Sequence, residues 1–175
     1  MQIHVVDADD PAFYVRNMAG MRARGISPII LYGMSNGVLV MVNRVIEMAQ
    51  QEDSIDLFQL HGHGGGGIQN ISGGHSDGTP HLAAISNGNF AQIRPILDRL
   101  TPYFTSDARI ELMGCSVASN ADGEQLLIKL ARLWGHAIKA GVEVQFSNQP
   151  DEVFVFEGPI TIAYPDGGLA CTTNS

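Results

Sequence analysis

Short apolar runs that stop at glycine or another small residue recur along this chain, separated by amphipathic stretches. QIHVVDA comes first, and SPIILYG, SIDLFQL, ARIELMG and HAIKAGVEVQFS follow. Each has the length and composition of a buried strand. Between the second and third runs, Val38, Met41, Val42, Val45, Ile46 and Ala49 share one face at helical spacing. Phe90, Ile93, Leu97 and Leu100 do the same, with Pro95 expected to kink that helix or mark its start. In DGEQLLIKLARLWG, Asp122 is the expected N-cap and Gly135 the natural stop. NMAGMRARGIS reads as a helix and loop. Strands alternating with helices predict an α/β fold, an open and mostly parallel sheet with helices on both faces. Residues 68–88 read as irregular. EVFVFEGPITIAYPDGG reads as a C-terminal β-hairpin or edge strands around Glu157, Gly158 and Pro159.

The 175 residues show no internal repeat and no linker, so residues 1–175 are read as one domain. The net charge of −8 argues against nucleic acid as the main partner, because phosphate backbones select clustered Lys and Arg. No stretch is apolar enough to insert in a membrane, and MQIHVVDADD does not resemble a signal peptide. The expected setting is the cytoplasm, or a larger protein exported without a visible signal. Two cysteines, Cys115 and Cys171, make no disulfide framework. One bridge between them is the plain alternative to a useful thiol.

In an open α/β sheet, ligands gather beyond the carboxyl ends of the strands. Three runs end suggestively there, in YGMSNG, LHGHGG and MGCSVA. Cys115 follows a strand directly and would point into the cleft, where a thiolate is a good nucleophile if a base assists it. His63 closes the run before it and could move that proton. The Gly64 N–H, unobstructed by a side chain, could join that of Cys115 in holding a developing oxyanion.

DLFQLHGHG followed by RIELMGCSVA resembles the caspase-like (clan CD) cysteine peptidases. The pattern is most like the bacterial caspase-like domains and the self-processing cysteine protease domains of toxins. The resemblance runs from Pro28 to Phe146. It rests on an apolar strand ending in His-Gly, a helical crossover, and an apolar strand ending in a small residue and Cys. It implies a caspase-like fold and a His-Cys dyad that cleaves peptide bonds. The frequent Gly-His-Gly triplet maps onto Gly62-His63-Gly64, making His63 rather than His61 the dyad histidine. The implied partner is a protein or peptide substrate, the chain itself included. No cofactor is required, and calcium activation stays open. An inositol phosphate trigger would want a basic cluster, whereas the Lys and Arg residues are scattered. Ser35, Asn36, Asp77 and Glu143 are candidates to line the pocket. The Gly-rich insertion over 64–88 departs from the family's usual turn. The residue before the scissile bond is expected to be basic or apolar, because Asp would want a placed Arg. Oligomeric state is not legible.

Three other readings fit parts of the same sequence. Gly33-Met34-Ser35-Asn36-Gly37 fits the nucleophile elbow of serine hydrolases, but too little chain precedes it for that fold. His61, His63, His75 and His81, with Asp77, could approach a metal-ligand set, although the glycines break the strand that would align them. A non-catalytic caspase-like module for binding or assembly is the third. Met34, Met41 and Met48 read as core filler and Trp134 as packing; His4, His136 and Cys171 read as incidental.

Overall fold

The computed structural model describes residues 1–52, 54–73, 82–145 and 155–173. The order is β1 (Gln2–Asp7), α1 (Pro11–Ala23), β2 (Ile29–Leu31), α2 (Gly37–Glu52) and β3 (Ile55–His61). Three short strands follow, β4 (Gly64–Gly65), β5 (Ile68–Asn70) and β6 (Ala84–Ser86). Then come α3 (Phe90–Leu97), β7 (Phe104–Leu112), α4 (Ala121–Trp134), β8 (Ile138–Gly141), β9 (Pro159–Ala163) and β10 (Leu169–Thr173). The main sheet has the order β10-β9-β8-β7-β3-β1-β2. From β2 to β8 every pairing is parallel, and β9 and β10 add antiparallel to that edge. The α/β architecture with helices on both faces is as the periodicity predicted.

Alternation along the strands sorts the core. Ile3, Val5, Phe58, Leu60, Ile110 and Leu112 join the buried faces of α2, α3 and α4 in one cluster. Trp134 closes α4 against that core, 6.1 Å from the Phe58 ring, with its indole N–H donating to Leu97 O at 3.0 Å. Gly135 ends α4 in the left-handed region at φ 72°.

Four local expectations are corrected. Residues 68–88 contribute two strands, β5 and β6, to a small antiparallel sheet with β4. The N-cap of α4 is Asn120, whose Oδ1 accepts the Gly123 N–H at 2.9 Å, rather than Asp122. Strand β8 stops at Gly141, well short of the run that suggested it. The C-terminal hairpin turns at 164–168, where the Tyr164 N–H donates to Gly168 O, and not at Gly158. Pro95 lies inside α3, which passes on into a 3-10 segment.

Candidate active site

The parallel register of β3 and β7 sets the site. Leu60 pairs with Leu112, and the Met113 N–H donates to Leu60 O at 2.8 Å. Three residues beyond each member of that pair stand His63 and Cys115. The two strand ends touch because glycines let them. A Cβ on Gly64 would lie 3.0 Å from the Cys115 nitrogen and 2.8 Å from its carbonyl oxygen. A Cβ on Gly114 would lie 2.6 Å from Gln69 Oε1. At Gly64 the neighbours are backbone and have little room to yield, while at Gly114 the Gln69 amide would have to move.

The backbone around Cys115 is tightly held except at one donor. The Gly114 N–H donates to Gln69 Oε1 at 2.9 Å and the Ser116 N–H to Glu143 O at 2.9 Å. The Cys115 N–H between them donates to no described residue. Across the gap, the Asn70 N–H donates to His63 O, one residue before the first registered pair, Gly64 and Gln69. Gly64, next in the ladder, then directs its N–H away from β5. Ser116 has φ 54° and is the single described non-glycine residue in the left-handed region. Strain of this kind collects where a chain must present a group sharply.

The side chains of Cys115 and His63 have other partners. The Cys115 thiol donates to Gln145 O and accepts the Gln145 N–H, both at 3.4 Å. His63 is half-exposed; its Nε2 lies 3.3 Å from Asp10 Oδ2, and its ring stacks on Phe13 at 5.7 Å. The backbone N–H groups of Phe13 and Ala12 hold the Asp10 carboxyl below the usual carboxylate range, and His63 adds to this. His61 points into the interior instead. Its Nε2 is 3.3 Å from His4 Nδ1, and burial pushes it down to about 3 and His4 to about 4. Asp7, at the end of β1, is 2% exposed. Its Oδ1 accepts the N–H groups of Asp9 and Gly73, Oδ2 has no partner among the described residues, and burial raises its carboxyl.

The other expected residues divide. Glu143 is beside the site, its carbonyl bound to Ser116 and its side chain exposed. Ser35 and Asn36 are exposed at the head of α2, and β1 and β3 separate their strand from β7. Asp77, His75 and His81 lie outside the described residues. Among the described residues, no three His, Cys, Asp or Glu side chains converge as a metal set. Cys115 and Cys171 are both free thiols, which removes the bridge between them. Asp10, Gln69 and Gln145 were not foreseen. The Asp10-Pro11 pair carried a signal, since Asp before Pro is a helix start. The two glutamines carried none.

A family model described as a domain of unknown function, DUF4347, matches residues 14–145, and the chain belongs to that family. The match takes in His63 and Cys115 and begins after Asp10. No curated protein and no solved structure matches the chain significantly. None of the described helices is long and apolar enough to cross a membrane.

Proposed function

We propose that this chain is a caspase-like cysteine endopeptidase. The observation that carries the reading is the contact of the Gly64 and Cys115 backbones, which brings a histidine-bearing rim against a cysteine on a strained turn. Cys115 Sγ attacks the peptide carbonyl carbon, and its proton passes to His63. The tetrahedral oxyanion sits between the Gly64 and Cys115 N–H groups. Its collapse breaks the C–N bond, His63 gives the proton to the leaving amine, and a thioester remains. Water, deprotonated by His63, hydrolyses that thioester and restores the thiol. In the unliganded chain the thiol rests on Gln145 and the imidazole on Asp10, so the proton transfer awaits a bound substrate that brings the two together.

The test is labelling with peptidyl acyloxymethyl ketones, read by intact mass, on wild type, Cys115→Ala and His63→Ala. One adduct on wild type, absent from Cys115→Ala and strongly reduced in His63→Ala, is expected. A folded wild type that takes no adduct, with or without calcium, would sink the reading. The alternative is a non-catalytic binding or assembly module, favoured by one observation: no hydrogen bond joins the His63 ring to the Cys115 thiol. The serine alternative loses ground, because the strained residue follows Cys115 and not Ser35.

A further inference from the structure

Helices α3 and α4 flank an open groove of about 450 Å³ lined by Phe90, Ala91, Arg94, Lys129, Arg132 and Leu133. That volume lies in the range of small-molecule sites. The chain has 10 Lys and Arg against 18 Asp and Glu, yet three of those cations meet here and no carboxylate lines the groove. No basic run announces them, because Arg94 and Lys129 are far apart in the sequence. Several cations elsewhere do have partners: Arg44 donates to Ile30 O, Arg99 to Asn43, and Lys139 faces Glu111. The guanidinium groups of Arg94 and Arg132 have no hydrogen bond or ion pair to any described residue. Lys129 stands 5.6 Å over the Phe90 ring and donates to Asn87 Oδ1. The floor is apolar, made by Phe90, Ala91 and Leu133.

We propose that this groove binds a small organic acid, an aromatic-sized apolar body bearing one carboxylate. The body covers the Phe90–Leu133 floor, and the carboxylate takes the forked donors of Arg94 or Arg132. A polyanion would leave the floor uncovered and ask for more cations than three. A neutral apolar ligand would make no use of the two guanidinium groups, which water then solvates. The proposal does not depend on the peptidase reading, since none of these residues belongs to the candidate active site.

The probes are 2-naphthoate and its uncharged isostere 2-naphthamide, titrated into the whole chain and followed by amide NMR shifts. Naphthoate should saturate with shifts at Ala91, Leu133 and Asn87, and naphthamide should bind about tenfold more weakly or worse. Arg94→Gln with Arg132→Gln, both exposed substitutions, should weaken naphthoate by a similar factor while the remaining spectrum stays put. Equal binding of acid and amide, unchanged binding by the double variant, shifts confined to another surface, or no saturation would each overturn the proposal.

Discussion

Asp10 joins two tasks in one side chain: its Oδ2 lies 3.3 Å from His63 Nε2, while its Oδ1 accepts the first N–H groups of α1. A carboxylate on one ring nitrogen fixes how the imidazole is turned, which leaves the other nitrogen for chemistry. The two tasks can be separated. Asn at this position still caps a helix but carries no charge. Asp10→Asn should slow probe capture at Cys115 about tenfold with little change in melting temperature. Asp10→Ala should slow capture comparably and also lower the melting temperature. Stopped-time labelling beside thermal unfolding checks both.

Neighbouring glycines give a sharper contrast. Alanine at Gly64 meets the Cys115 backbone and the Val117 side chain, whereas alanine at Gly65 has nothing within 4 Å. Gly64→Ala should cost about 1–3 kcal/mol in stability and suppress labelling. Gly65→Ala should stay within about 0.5 kcal/mol and label normally. Urea unfolding of the two variants in parallel decides it.

Buried His61 and His4 make the fold sensitive to acid. Their folded pKa values, about 3 and about 4, lie below the ordinary 6.5, so the unfolded chain binds their protons first. The stability from keeping them neutral is present above pH 6.5 and is lost as pH falls toward 4 and then 3. Asp7 works the other way in part of that window, since a raised carboxyl favours the folded chain at low pH. His61→Leu should flatten the decline between pH 6.5 and 4, measured as melting temperature against pH. An unchanged slope would show that these rings do not control it.

On the proposed peptidase reading, charge at the strand ends bears on substrate choice. Residues 7–10, 32–36, 62–67, 113–119 and 142–145 carry Asp7, Asp9, Asp10 and Glu143 and not one Lys or Arg. Probes with Arg or Lys before the warhead should label Cys115 at least about tenfold faster than the matching Asp probe, and the gap should narrow in high salt. Faster labelling by the Asp probe would contradict this.

Much of the fold was legible because it rests on local patterns. Strands buried on both faces read as apolar runs, and α2 and α4 declare themselves by period. His63 and Cys115 could be singled out as candidates because ligands gather at the strand ends in this class of sheet. What escaped depends on distant pairing. β4, β5 and β6 have two or three residues each, too few to show alternation, and they exist only through one another. Gln69 and Gln145 are neutral amides in unpatterned stretches, and their roles come from backbone donors that folding brings to their side-chain oxygens, Gly114 N–H for Gln69 and Glu157 N–H for Gln145. The groove cations were read as scattered because helix packing, not sequence, assembles them.

The place of β9 has a consequence for a nicked chain. Four registered pairs hold β9 to β8, and five hold it to β10. Gln145, four residues beyond β8, is tied to Glu157 through both halves of its amide. The peptide bonds between Gln145 and Val155 are therefore not what keeps the last two strands in the sheet. Cut there, the molecule would become two pieces by denaturing electrophoresis and still migrate as one body in native buffer, with the thiol of Cys115 resting on a new chain end's neighbourhood.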